Sequence, residues 1–269
     1  MEDYSDFRAT VYGYFTEHGR TFPWRETHDP YAIMVSEIML QQTQAPRVAP
    51  KFEAFMQRFP MAQVLAEAPV AELLEYWQGL GYNRRALNLQ RAAQYCLMHF
   101  GGKIPEDEGA LQQLPGIGPY TAAAIRAFAH NLPAVVLETN IRRVYLHHFF
   151  EGQEGIGDEQ LRPIIAATQD ESSPRIWYSA LMDYGTYLAT VLPNPNRRSK
   201  HYTKQSKFEG SRRQVRGNIL KLLLAHGGVL IRDDLFTELA VEPELLEEIL
   251  LEMAREGFVR LEKENVQIA

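Results

Sequence analysis

The sequence predicts a mainly α-helical protein that ends in a small winged-helix-like segment. Three observations carry this. Between about residue 4 and residue 192, apolar side chains recur at helical spacing and clear strand alternation is scarce. Pro and Gly punctuate that pattern where helices would start and stop. After a polar, basic break near Val191, three more helical runs lead into a short hairpin-like pair.

The elements follow in order. "YSDFRATVYGYFTEH" has helical apolar spacing, and "PYAIMVSEIMLQQTQ" opens at a proline, where a missing N–H costs little. "APRVAPKFEAFMQRFP", "VAELLEYWQGLG" and "RRALNLQRAAQYCLMHFGG" continue the pattern, with Gly as the stop signal. "GALQQLPGIGPYTAAAIRAFAH" reads as a helix, a tight turn and a second helix; "NIRRVYLHHFF" and "PRIWYSALMDYGTYLAT" complete the set. Beyond the break come "RRQVRGNILKLLLAHGG", "IRDDLFTELA", "EPELLEEILLEMAREGF" and the pair "VRLEKENVQIA". The third of these helices carries many Glu residues, which would repel phosphates in a DNA groove. Packing or a wing contact is therefore favoured over base reading, with protein contact also open. The expected division is a helical domain at 1–192, a basic linker or strap at 193–213 and a winged-helix-like domain at 214–269.

The chain has 269 residues, 45% of them hydrophobic, enough for a sizeable core. Its net charge of −6 gives no global pull toward nucleic acid, although a local basic stripe suffices for that. No apolar run approaches the length of a membrane span, and "MEDYSDFRAT" lacks the basic-then-apolar pattern of a secretory signal, so a cytoplasmic protein with no membrane contact is expected. Cys96 is the single cysteine, so neither an intramolecular disulfide nor a four-cysteine metal site can be drawn from these residues. From Arg197 to Arg216, eight Lys and Arg residues face Glu209 alone. A solvated linker and a phosphate-contacting strap both fit this stretch, and the charge density beside Tyr202 and Phe208 favours the strap.

"LPGIGPYTAAAIRAF" raises a sharper question. Its glycines, Gly116 and Gly118, permit unusual backbone conformations and close approach, and the N–H groups left over at the next helix start form an anion site. No Lys-Ser/Thr follows, so this is not a nucleotide P-loop. A helix–hairpin–helix gripping a DNA phosphate fits, as does an ordinary interhelical turn. About twenty residues on, Glu138 in "VVLETNIRRV" follows an apolar run just before a helix, and Glu37 sits inside "SEIMLQQTQ". Two carboxylates beside a phosphate grip suit cleavage of a glycosidic bond: one acid protonates the leaving base while the other steadies an oxocarbenium-like sugar.

Taken together, "PWR" (23–25), "SEIMLQQTQ" (36–44), "WQGLGYNRRALNL" (77–89), "LPGIGPYTAAAI" (114–125), "LETNIRRV" (137–144) and "ALMDYG" (180–185) resemble the helix–hairpin–helix DNA glycosylase superfamily, and within it the adenine glycosylase branch. The resemblance covers roughly residues 15–190, and "LQQTQ" is its strongest link to the adenine branch. It implies a two-lobed helical glycosylase fold and base excision repair. The expected target is an adenine opposite 8-oxoguanine or G, removed by hydrolysis of its N-glycosidic bond. The expected partner is duplex DNA with a mismatched or damaged base. A monomer with a bacterial-type, nucleoid-associated activity is expected.

Residue by residue, the resemblance makes Glu37 the general acid and Glu138 the carboxylate that stabilises the cationic sugar. Most relatives have Asp at the second place, one methylene shorter, which bears on rate or target. Asn140 would position that carboxylate, although an N-cap role explains it equally. Tyr120 stands where strand-cleaving relatives carry a lysine, and it cannot form a Schiff base, so a monofunctional enzyme is implied. Arg20, Trp24 and Asp183 match the pocket around the extruded base, with Trp24 also fitting a plain core position. Gln41 and Tyr82 match the residues that fill the gap and probe the opposite base, flanked by Leu40, Gln42 and Thr43. Arg84 and Arg85 would face phosphates, or snorkel along a helix surface. Gly116, Gly118 and Thr121 belong to the DNA-gripping hairpin, and Arg197, Arg198, Lys200 and Lys204 to the strap. Many relatives bear a [4Fe–4S] cluster after "DYG"; with one cysteine none is expected here, nor any other cofactor or metal. The usual C-terminal domain that reads 8-oxoguanine is replaced by the winged-helix-like segment. Two other readings stay open: a same-fold glycosylase for thymine, uracil or a modified pyrimidine, and a non-catalytic DNA-binding protein, to which Glu138 lends some weight and against which Glu37 and Tyr82 argue.

Overall fold

In the computed structural model, which describes residues 3–203 and 207–269, the long periodic runs are helices whose ends fall at Pro, Gly and polar caps. In chain order they are α1 (Ser5–His18), α2 (Pro30–Leu40), α3 (Ala45–Arg58), α4 (Ala62–Glu67), α5 (Val70–Trp77), α6 (Arg84–Phe100), α7 (Glu108–Gln112), α8 (Pro119–His130), α9 (Thr139–Phe149), α10 (Asp158–Thr168) and α11 (Pro174–Val191). Then follow α12 (Arg212–Ala225), strand β1 (Val229–Ile231), α13 (Arg232–Leu239), α14 (Pro243–Glu256), β2 (Val259–Leu261) and β3 (Asn265–Ile268). None of the described helices is long and apolar enough to cross a membrane.

Three elements escape the sequence reading: α4, α10 and β1. The run drawn through Gln44 also stops early, because α2 ends at Leu40 and Gln42 then turns to φ 55°. Helix α6 closes on Gly101 at φ 60°, a left-handed cap that glycine adopts without strain.

The described chain forms two compact units, built from residues 3–37, 105–113 and 117–203, and from 38–104, 114–116 and 207–269. In the first unit α11 packs along α9 and α1, around Trp177 and Tyr145 with no exposure and Phe7 edge-on to both rings at 5.8 and 5.5 Å. The alanines of α8, Ala122 to Ala124, are buried and keep that helix slim enough to lie close to its neighbours. In the second unit α6 packs on α4, where Gln90 Nε2 donates to the Leu65 carbonyl and Gln94 Nε2 to the Ala66 carbonyl, each at 3.1 Å.

The C-terminal segment has winged-helix order, helix–strand–helix–helix–strand–strand, with an antiparallel sheet arranged β1-β3-β2. Leu230 faces Val266 across it, and Leu261 pairs with the same Val266 from the other side. The segment's first helix begins at Arg212, and the segment falls in the same compact unit as residues 38–104. Glu256 at the end of α14 takes the Arg84 guanidinium at 2.5 Å, and its carbonyl accepts from Arg91 at 2.6 Å, so α14 is bound to α6. The Glu-rich face of α14 is spent on such packing, with Glu248 and Glu252 paired to Arg212 at 3.1 and 2.9 Å.

Candidate active site

Helix α2 is apolar on all sides, and Glu37 lies within it at 4% exposure. A carboxylate placed there loses its hydration, so burial pushes the Glu37 pKa up to about 7; the Tyr120 hydroxyl bond works against that rise and the charge of Glu138 adds to it. Tyr120 is the second residue of α8, entered through Pro119, and its hydroxyl donates to Glu37 Oε2 at 2.9 Å. Burial, with Glu37 and Glu138 nearby, holds the Tyr120 pKa well above its usual value, so the hydroxyl stays a proton donor. Tyr120 is thus bonded directly to the Glu37 carboxyl.

Glu138 is the N-cap of α9. Its Oε1 accepts from the backbone N–H of Asn140 at 2.6 Å and of Ile141 at 2.8 Å, and its Oε2 accepts from Asn140 Nδ2 at 3.2 Å. Burial raises its pKa, opposed by these N–H bonds and by Arg143 and Arg142. The N-cap role weighed for Asn140 thus belongs to Glu138, while Asn140 is the positioning amide. Asn140 is fixed in turn by Arg143, which donates from Nη1 to Asn140 Oδ1 at 2.7 Å and to the carbonyl of Gly185 at 2.6 Å. A Cβ on Gly185 would sit 2.3 Å from the Asn140 carbonyl oxygen, so only glycine lets α11 approach α9 here. Arg143 and Gly185 were missed as site residues; "DYG" held the second in plain view.

Of the three pocket positions, Arg20 and Asp183 join one ion-pair network and Trp24 is buried. Asp183, buried at 2%, takes Arg25 through Nη1 and Nη2, each at 2.8 Å, and Arg20 through Nε at 2.8 Å and its backbone N–H at 2.8 Å. Burial works to raise the Asp183 pKa, but these two arginines outweigh it and hold it below the usual range. Trp24 is buried and stacks on Phe22 at 4.9 Å, as its core reading had it. The network ties the N-terminal "RTFPWR" segment to α11. Arg25, quoted in "PWR" but given no role, is its most fully engaged member.

In the second unit two loops carry the wedge candidates. Gln42 at φ 55° and Tyr82 at φ 46° are non-glycine residues in the left-handed region, which a side chain enters at a cost. Arg85 explains how both loops are held. It does not face phosphates: it is 9% exposed, and its two terminal nitrogens donate to the carbonyls of Ile38, Met39, Gln41, Leu80 and Gly81, at 2.6 to 3.0 Å, and to Thr43 Oγ1 at 3.2 Å. Burial pulls its pKa down to about 10, still charged at neutral pH. Thr43 is thereby part of the loop staple, while Leu40 and Gln41 are half-buried and Gln42 and Tyr82 exposed. Arg84 is exposed and pairs with Glu256 at 2.5 Å, a carboxylate that Arg216 shares.

In the hairpin, Gly116 has φ +81°, and a Cβ on it would meet the Asn88 Cβ at 2.8 Å. Gly118 is different: its φ is −92° and a Cβ would reach open space, so nothing in the fold demands glycine there. Thr121 is 2% exposed and faces the helix packing, which corrects its placement on the DNA surface.

Residues 195–198 form a turn of 3-10 helix held against α9 by Asn196 Nδ2, which donates to the Thr139 carbonyl at 3.0 Å. Arg198 caps the C-terminal end of α9 by donating to the carbonyls of Leu146 at 2.8 Å and Phe150 at 2.7 Å, so it is a structural residue. Arg197 and Lys200 are exposed, and Lys204 lies outside the described residues. This segment does not fit an iron–sulfur cluster: it offers no thiolate, and Cys96 is buried in α6. Among the described residues no group of three or more His, Cys, Asp or Glu is placed to hold a metal ion.

Residues 35–163 match the family model described as HhH-GPD superfamily base excision DNA repair protein. The chain is 34% identical to an adenine DNA glycosylase of Buchnera aphidicola over 70% of this chain and 54% of that protein. It is 33% identical to an adenine DNA glycosylase of Mycolicibacterium smegmatis over 76% of this chain and 75% of that one. The match thus spans about half the length of the Buchnera relative. Among solved structures, a thermostable thymine-DNA glycosylase superposes with a TM-score of 0.61 at 25% identity, over 68% of this chain and 88% of that one.

Proposed function

The chain belongs to the HhH-GPD superfamily of base excision DNA repair proteins, and from that premise we propose that it is a monofunctional DNA glycosylase that removes adenine mispaired with 8-oxoguanine or G. The observation that carries this reading is the Glu37–Tyr120 pair: a buried carboxyl whose pKa is near 7, held by a tyrosine hydroxyl. Such an acid is still protonated in a large fraction of molecules at neutral pH and so can deliver its proton to a leaving purine. As the C1′–N bond breaks, electron density moves to the base, Glu37 supplies the proton, and the sugar becomes cationic. The Glu138 carboxylate, oriented by the first N–H groups of α9, stabilises that cation until water adds to C1′. Tyrosine at position 120 offers no amine to form a Schiff base with the sugar, so the product of this reading is an intact abasic strand.

The substrate is duplex DNA with the target base flipped out of the stack. Gln41, Gln42 and Tyr82, on loops held by Arg85 in left-handed backbone, fill the gap it leaves. The hairpin grips a phosphate at Gly118, where an exposed backbone with no Cβ admits close approach. The protein acts as a cytoplasmic monomer, without cofactor. Likeness to the thymine-DNA glycosylase structure supports a second reading, thymine as the target on the same machinery. The test is a set of duplexes with A opposite 8-oxoguanine, A opposite G and T opposite G, incubated with enzyme and then treated with hot alkali. The adenine duplexes should yield cleaved strand only after alkali; cleavage of T opposite G alone would assign thymine instead.

A further inference from the structure

Asn196 is a buried amide, 5% exposed, on the 3-10 turn that follows α11. Its Nδ2 makes the bond to the Thr139 carbonyl, while its Oδ1 is buried and has no hydrogen-bond partner among the described residues. A buried acceptor left without a donor costs stability. The bond from Nδ2 offsets little of that cost, because its acceptor is already served. Thr139 is the first residue of α9, and the helical ladder gives its carbonyl the N–H of Arg143. Folding alone therefore gives no reason for an amide at this place, and local rules are broken in this way chiefly where function requires it. The turn that carries Asn196 is itself firmly anchored. Asn194 Oδ1 accepts the Asn196 N–H at 3.1 Å, Arg198 holds the last carbonyls of α9, and Ile156 pairs with the chain on each side of Ser199, through the Arg198 carbonyl at 3.0 Å and the Lys200 N–H at 2.9 Å. The turn lies along α9 as a splint, bonded near the first residue of that helix and near its last.

What the splint holds is the residue between Glu138 and Asn140. The Glu138 carboxylate takes its direction from the N–H groups of Asn140 and Ile141 and from Asn140 Nδ2, so it moves with the first turn of α9. Two elements grip that turn: α11, whose Gly185 carbonyl takes Arg143 at 2.6 Å, and the 3-10 turn, through Asn196. On the reading of Glu138 as the carboxylate that steadies the cationic sugar, which this rests on, we propose that Asn196 is a positioning residue: it fixes the first turn of α9, and with it the reach of the Glu138 carboxylate to C1′. A displacement of about 1 Å at a reacting group costs roughly 10²-fold in rate. The acid is held by other means, since Glu37 lies in α2 and is bonded to Tyr120 of α8. Asn196 thus governs the sugar side of the reaction and leaves proton delivery to the base untouched.

The test is single-turnover excision by Asn196→Ala and Asn196→Leu, both without the donor, on A opposite 8-oxoguanine, or on T opposite G if that is the base the native enzyme removes. Each variant should be slower than native by about 10–100-fold at saturating enzyme, with duplex affinity within about threefold. The fall in rate above pH 7 should keep its native midpoint, because the surroundings of Glu37 are unchanged. The urea unfolding midpoint of at least one variant should match or exceed that of native protein, since the partnerless Oδ1 leaves with the side chain. In a Glu138→Gln background the Asn196 substitutions should slow excision no further, the non-additivity expected of a residue that acts through another. Rates within about threefold of native, a loss of rate that comes only with a lower unfolding midpoint, a loss of affinity in place of rate, or a full additional loss in the Glu138→Gln background would each overturn the proposal. A near-native rate for Glu138→Gln alone, or no excision of either base by native protein, marks failure of the reading beneath it, and the proposal falls with that reading.

Discussion

Replacing Glu37 with Gln should cut catalysis by orders of magnitude and stabilise the protein at neutral pH, and the two effects have a common origin. In the folded chain the carboxyl has a pKa of about 7 against an ordinary 4.5, because it is buried in α2. A raised folded-state pKa means that the folded protein holds this proton more tightly than the unfolded chain. The associated stability is fully present below pH 4.5 and is lost as pH rises to about 7. The gap of about 2.5 pH units, at 1.36 kcal/mol per unit, amounts to about 3 kcal/mol. Glutamine has no proton to lose and still offers Tyr120 an acceptor oxygen. Urea unfolding of both proteins at pH 4.5, 6 and 8 should therefore show the variant gaining about 3 kcal/mol on the native chain between the first and last points. Base excision by the variant should fall by roughly 10²–10⁴ while DNA binding persists. Native single-turnover rates should decline about tenfold per pH unit above 7, as the acid ionises. A stability difference flat in pH would refute the burial argument, and a near-native excision rate would remove Glu37 as the acid.

Other perturbations separate structural from DNA-facing roles. Arg85→Ala leaves five loop carbonyls without their donor and should cost at least about 3 kcal/mol in urea unfolding; Arg85→Lys should recover little, because one ammonium cannot span both loops. Unchanged stability in either would mean the loops hold themselves. Glu138→Asp should keep the cap and stay within about 0.5 kcal/mol of native in thermal unfolding, while Glu138→Ala loses about 1 kcal/mol; equal losses would contradict the capping geometry. Removing Arg197 and Lys200 together should flatten log K against log salt by about 2, at 0.9 per phosphate contact, without changing stability. Arg198→Ala should do the reverse, costing about 1–3 kcal/mol by freeing the last carbonyls of α9 and leaving the salt slope intact. A salt slope that responds to Arg198 but not to Arg197 and Lys200 would invert these assignments.

These contrasts show where residue patterns stop being informative. Glu37, Tyr120 and Glu138 are legible as a set, through the motifs that carry the resemblance, because a lone carboxylate in or before a helix is most often a surface residue or a cap. The arginines are harder. Nothing local in "YNRRAL" says that Arg84 meets a carboxylate on α14 while its neighbour turns inward to five carbonyls; those partners lie 172 and up to 47 residues away. The same holds for "NRRSK", where Arg198 caps a helix and Arg197 reaches solvent. The pairing of Asp183 with Arg25 is equally silent in the sequence, because the two lie 158 residues apart. Helix α10 carries Pro163 within it, and β1 is three residues long, so neither builds a periodic signal. The long helices and the winged-helix order are legible because each spans several turns with one buried face. The placement of the C-terminal segment with α3–α6 is not, because it depends on single ion pairs between distant residues such as Arg84 and Glu256.

What leaves the DNA, and the state in which the strand is left, distinguish a monofunctional adenine glycosylase from every alternative above. A single-turnover reaction on a duplex bearing A opposite 8-oxoguanine, with the free base identified by chromatography and the strand resolved before and after hot alkali, measures both. The Glu37–Tyr120–Glu138 site predicts stoichiometric free adenine and a strand that breaks only in alkali. Strand scission before alkali, with a covalent adduct trapped by borohydride, would contradict it, as would a duplex from which no adenine is released.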